Sequence, residues 1–232
     1  MSEIAIRAEN IVKRYGQKRA LDDFTIHLPQ ERVVGVLGSN GAGKSTFFRM
    51  IAGLIQPDLG TIDVLGRTPG WQTNRDIAYL PDRARWYEGH TVMLALDWAE
   101  HLLPGFERQR AESLISFMGL DPEMKVHGMS RGQEARLMLT ICMARSVPLL
   151  LLDEPFSGID LLSRERIIEA IIDNLSDNRQ TVLISTHEIH ESESLFDHVV
   201  FMDNGQVLLH GDVEMLRAEQ GSMESIYRTL YR

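Results

Sequence analysis

Apolar residues gather in short runs bounded by Gly, Pro, Asn and Asp, at 33–37, 147–152, 181–185 and 199–202. Each run reads as a strand, and the near-continuous apolar character of the middle two predicts burial on both faces of a sheet. Helical periodicity lies between them, at 45–52 and 164–175, so strand and helix alternate as in a parallel α/β fold. Asn204-Gly205 joins 199–202 to 207–210 and predicts a hairpin.

The first thirty residues differ, with short runs at 4–8 and 24–28 separated by charged turns, which predicts antiparallel strands. The stretch 82–145 has little strand character. Helical patterns at 92–103 and 111–118, broken by Pro104-Gly105, and a largely apolar run at 135–144 predict a helical subdomain inserted into the α/β core. The expected division is a core of 1–81 and 146–212 with an antiparallel part, the helical insertion 82–145, and a short helical tail at 213–232.

Composition narrows the function classes. A net charge of −9 argues against a basic nucleic-acid surface, so no nucleic acid is expected as partner. The lone Cys142 lies in an apolar stretch and predicts no internal disulfide, compatible with the cytosol. The N-terminus has no signal-peptide pattern, and no run approaches the roughly 18 apolar residues of a membrane span. Any membrane role is expected to come through a partner.

Gly38-Ser39-Asn40-Gly41-Ala42-Gly43-Lys44-Ser45-Thr46 matches G-x-x-x-x-G-K-[ST], directly after the strand 33–37 and before a helix. Glycines let backbone N–H groups curl around phosphate oxygens, and the helix presents its positive end to the same anion. Lys44 adds a compact charge for the β- and γ-phosphates, and the Ser45 hydroxyl suits magnesium. The chain has only four lysines, Lys13, Lys18, Lys44 and Lys125, so one falling in this frame does not follow from lysine abundance.

A second strand delivers two adjacent acids at its end, Asp153 and Glu154. Successive strand side chains point oppositely, so the two are expected to divide the work. Asp153 is assigned to the magnesium shell, and Glu154 to polarising a water for attack on the γ-phosphate. His187 follows the strand 181–185 onto the same rim, where an imidazole can hydrogen-bond a γ-phosphate oxygen. His187-Glu188-Ile189-His190 is spaced H-E-x-H, which does not put both imidazoles on one helix face for zinc.

Met129-Ser130-Arg131-Gly132-Gln133 and Ser157-Gly158-Ile159-Asp160, in order with the motifs above, make residues 3 to 215 resemble an ABC ATPase. The resemblance implies a P-loop NTPase core, hydrolysis of ATP with Mg2+, and a head-to-tail dimer with a second copy or a homologous ATPase subunit. It implies that Ser130, Arg131, Gly132 and Gln133 grip the γ-phosphate of ATP held by the other subunit, that Asp160 crosses the interface, and that Tyr15 stacks on adenine. From the residues alone, Ser130 and Gln133 also form a capping box, and a capped helix start is itself an anion site.

The usual Gln at the end of the strand leading into the helical subdomain is here Asp82, carried over as a magnesium ligand. Arg131 replaces a common Gly and Phe156 a common Thr. The Tyr79-Leu80-Pro81-Asp82 segment and the basic signature residue resemble the ABC-2-type exporter branch. That resemblance implies an integral-membrane permease partner received near Arg83, Arg85, Trp86 and Tyr87, and a cytoplasmic place on the inner face of the membrane. The rival reading is a soluble ABC-type ATPase acting on ribosomes or DNA. A GTPase is disfavoured because no lysine stands in N-K-x-D.

Overall fold

The computed structural model describes residues 3–81, 86–87, 89–177, 180–187 and 193–231, with the side chains of 174–177 left aside. Strands β1 (Ile4–Tyr15) and β2 (Lys18–Pro29) form a long hairpin, followed by β3 (Val33–Leu37), α1 (Lys44–Ile51), β4 (Leu59–Val64) and β5 (Ile77–Leu80). Helices α2 (Val92–Leu102), α3 (Arg108–Phe117) and α4 (Arg131–Met143) come next, then β6 (Leu149–Asp153), α5 (Leu161–Asp177) and β7 (Thr181–Thr186). The chain closes with β8 (His198–Asp203), β9 (Gln206–Asp212), α6 (Val213–Gln220) and α7 (Met223–Leu230).

Six strands make the main sheet in the order β5-β6-β7-β3-β8-β9, parallel except for β9, and β2-β1-β4 make a separate antiparallel sheet. Strands β3, β6 and β7 are buried at every position, because both faces of the main sheet are covered. Alternate residues divide between two cores. Val34, Val36, Leu149, Leu151 and Leu183 meet Phe47 and Phe48 of α1 and Phe24 and Ile62 of the small sheet. Val33, Leu37, Leu150, Leu152, Val182 and Ile184 join a core with Leu96, Leu137, Met143 and Ile167 on the helical side. Each such side chain contributes about 1.5–3 kcal/mol by leaving water.

The expected elements appear with small shifts in their bounds, and Asn204 and Gly205 take φ of 46° and 77°, which the tight β8–β9 turn requires. Two differences matter. The first hairpin is far longer than the runs 4–8 and 24–28, because bulges near Asn10 and Asp23 (φ 50° and 51°) admit polar residues that interrupt the alternation. The tail contains two helices, with Asp212 capping α6 and Ser222 capping α7.

Parallel register aligns the functional strand ends. Leu37 pairs with Thr186, and Asp153 with Ser185, so the segments that follow β3, β6 and β7 leave one rim together.

Candidate functional site

Three of those segments build the site. Gly43, at φ 109°, ends the loop 38–43, and a Cβ there would lie 2.5 Å from the Ala20 carbonyl oxygen, so only glycine fits. Helix α1 starts at Lys44 with no side-chain cap and no acid in its first turn, leaving its free N–H groups for an external anion.

Lys44 is buried, and its three ammonium protons find three acceptors. Nζ donates to Gly38 O at 2.7 Å and Ser39 O at 3.2 Å, and lies 3.1 Å from Oε1 of Glu154. The other oxygen of Glu154, Oε2, is 2.8 Å from Nδ1 of His187. The loop cation, the candidate base and the rim imidazole are thus one connected group.

Asp153 and Glu154 diverge for a reason beyond strand alternation. Glu154 has φ of 52°, a left-handed conformation that costs a non-glycine residue free energy and turns its side chain away from the strand direction. Asp153 stays buried, its Oδ1 accepting from Ser45 Oγ at 3.1 Å and Ser185 Oγ at 2.6 Å. Ser185 Oγ also accepts the Glu154 N–H at 2.9 Å, so one hydroxyl positions both acids. On the other side of Asp153, Tyr79 Oη lies 3.4 Å from Oδ2, and burial together with the Asp153 charge pushes the Tyr79 pKa up to about 12. Tyr79 therefore remains a protonated donor.

A cavity of about 470 Å3 opens over this group, lined by Tyr15, Lys18, Asn40, Gly41, Lys44, Ser45, Thr46, Arg131, Glu154 and His187 among others. Tyr15 and Lys18 pair across the tip of the first hairpin, which carries an exposed ring and an ammonium to the rim. Lys18 and Ser185 escaped sequence reasoning. The bounded apolar run ending in Ser185 was visible, but nothing local marked its hydroxyl as a support for Asp153.

The predicted capping box forms at the start of α4. Ser130 Oγ accepts the Gln133 N–H at 3.2 Å, and Gln133 Oε1 accepts the Ser130 N–H at 2.8 Å, closing the capping box. Gly132 packs so closely on the start of α5 that a Cβ would lie 2.7 Å from both Asp160 Oδ2 and Ser163 Oγ. Asp160 accepts the Ser163 N–H at 2.9 Å and its hydroxyl at 2.7 Å, bonds that hold its carboxyl below the usual range. Within the chain Asp160 is therefore the cap of α5. Arg131, expected to reach ATP held by the other subunit, also lines the cavity over its own chain's Lys44. Asp82, Arg83 and Arg85 lie outside the described residues. Trp86 is part-buried, its indole N–H donating to Glu134 Oε1 at 2.8 Å, and Tyr87 is exposed.

Cys142 is buried, and burial pushes its thiol up to about 12, so it is an unreactive core residue. No helix among the described residues is long and apolar enough to cross a membrane.

The family model described as ABC transporter matches residues 21–157. The daunorubicin/doxorubicin resistance ATP-binding protein DrrA of Streptomyces peucetius is 34% identical over 236 residues, covering 94% of this chain and 68% of that protein. The linearmycin resistance ATP-binding protein LnrL of Bacillus subtilis is 31% identical, covering 89% of this chain and 68% of its own length. A solved structure of an ATP-binding subunit of an ABC transporter shares the fold with a TM-score of 0.86 at 27% identity, covering 98% of this chain and 100% of that one.

Proposed function

The chain belongs to the ABC transporter family of ATP-hydrolysing subunits, and from that premise we propose that it powers export of a substrate through a partner membrane permease. The observation that carries this reading is the pairing of a cavity over Lys44, Glu154 and His187 with a capped helix start at Ser130, whose free N–H groups suit a second anion. Two anion sites on different parts of one chain suit two copies meeting head to tail, each closing the other's nucleotide. The inserted segment 82–145 then serves as the arm that carries Ser130 to the neighbour. The resistance proteins among the relatives support export as the direction.

ATP enters with Tyr15 under its base and its phosphates over the loop 38–46. The γ-phosphate competes with the Glu154 carboxylate for Lys44, so binding releases Glu154 to face a water. His187, held by the same carboxylate, stays beside it to contact the phosphate. Ser45 and Asp153 present hard oxygens already in contact, a donor pair that fits Mg2+ with substrate phosphates completing its shell. Magnesium held there would neutralise charge on the β- and γ-phosphates.

Purification of the chain from solubilised membranes is expected to bring an integral-membrane protein with it, in proportion to ATPase activity. Recovery with ribosomes or DNA instead would overturn the transport role in favour of a soluble ATPase.

A further inference from the structure

The tail ends against the phosphate loop. Helix α7 places Met223, Ile226, Tyr227 and Leu230 on one face, the first two buried and the others packed on the helical-side core. The Tyr227 and Tyr231 rings stack with centroids 4.2 Å apart. This docking brings the Tyr231 hydroxyl to the base of the loop, where it donates to Met202 O at 2.6 Å and lies 3.3 Å from Leu37 O. Leu37 immediately precedes Gly38, and Gly38 rests on that same Met202 carbonyl, since a Cβ there would lie 2.4 Å from it. One residue further, Ser39 Oγ approaches Asp203 Oδ1 at 3.4 Å.

One hydroxyl therefore ties the ends of β3 and β8 at the point where the loop leaves the sheet. Burial pushes the Tyr231 pKa up, so the group remains a donor at any working pH.

We propose that Tyr231 is a positioning residue for nucleotide binding, its hydroxyl fixing the base of the phosphate loop so that the C-terminal helix sets the loop's affinity for phosphate. The proposal rests on reading 38–46 as the nucleotide loop. A loop held in its binding geometry before ligand arrives loses less freedom on binding, and releasing the tether transfers that cost to the nucleotide.

The test is Tyr231→Phe, which keeps the ring and its stack on Tyr227 and deletes only the donor, alongside Tyr231→Leu and Lys44→Ala. Binding of a fluorescent ATP analogue should weaken about fivefold in Tyr231→Phe, the fold-change of one typical hydrogen bond. KM for ATP should rise in step while kcat stays near the parent's, and the thermal midpoint should fall only as far as one lost buried hydrogen bond requires. Tyr231→Leu should weaken binding at least as much. Parental affinity in both tyrosine variants, with binding lost in Lys44→Ala, would overturn the proposal and leave the nucleotide site standing. Weaker binding that vanishes once it is referred to the folded fraction at the assay temperature, or a fall in kcat at constant KM, would overturn it too, since a merely structural role predicts those. Parental binding by Lys44→Ala would overturn the nucleotide-site reading and the proposal with it.

Discussion

Nζ of Lys44 lies 3.1 Å from Oε1 of Glu154, with 5% and 13% of the two side chains exposed. The loop's cation and the candidate base thus neutralise each other in a nearly dry site, and a phosphate arriving there must exchange with a carboxylate. Glu154→Gln removes the competing charge and the base together. It is expected to retain ATP binding, lose about 10²–10⁴-fold in turnover, and accumulate ATP-bound dimers on size exclusion. Phosphate release at the parental rate would end the assignment of Glu154 as base.

Ser185 offers a test of the support beneath that pair. Its hydroxyl donates to Asp153 at 2.6 Å and accepts the Glu154 N–H at 2.9 Å. Ser185→Ala deletes both contacts in a buried place, and about 1–3 kcal/mol of stability should go with them. Chemical denaturation reads that loss. The magnesium dependence of hydrolysis should shift to higher concentration in the same variant, because Asp153 is less firmly held. An unchanged magnesium profile would confine Ser185 to a packing role.

The start of α4 separates cap from ligand. Ser130→Ala should cost about 1 kcal/mol as a lost N-cap and, in addition, reduce ATP-dependent dimerisation measured by light scattering. Dimerisation at the parental level would leave Ser130 as a cap alone. Gly132→Ala forces a methyl to within 2.7 Å of Asp160 and Ser163. It should destabilise by about 1–3 kcal/mol through overpacking, read in the same denaturation experiment.

Acid should weaken the fold through His198. Burial first, then the neighbouring His210, hold its pKa down to about 4, against Asp212 acting the other way and Arg32 acting in the same direction. His210 is lowered as well, by burial and His27. The unfolded chain therefore binds more protons than the folded one from about pH 6.5 down to about 4, so stability present above this window is lost as pH falls through it. Thermal midpoints are expected to drop on acidification across that range, less steeply in His198→Leu than in the parent. Parallel declines would acquit His198.

The chemistry of the site was legible in the sequence where it depends on neighbours along the chain. Gly38 to Thr46 declares itself because a phosphate cradle needs consecutive backbone groups and glycines at set intervals. Ser130 and Gln133 declare a capping box because both partners lie within one helical turn. Asp153 and Glu154 declare a strand-end acid pair because an apolar run delivers them. What the tertiary structure alone decided is what these groups do to one another. The left-handed turn at Glu154, its ion pair with Lys44, the Ser185 hydroxyl beneath both acids, and Arg131 on the rim of its own cavity all depend on how elements distant in the sequence pack against one another. The Tyr231 hydroxyl meets Leu37 across 194 positions, and no local pattern encodes that meeting. Short-range hydrogen-bonding rules and periodicity act over a turn or a strand, and so leave a mark in the sequence. Contacts across the sheet depend on how every layer packs, and only the folded chain carries them.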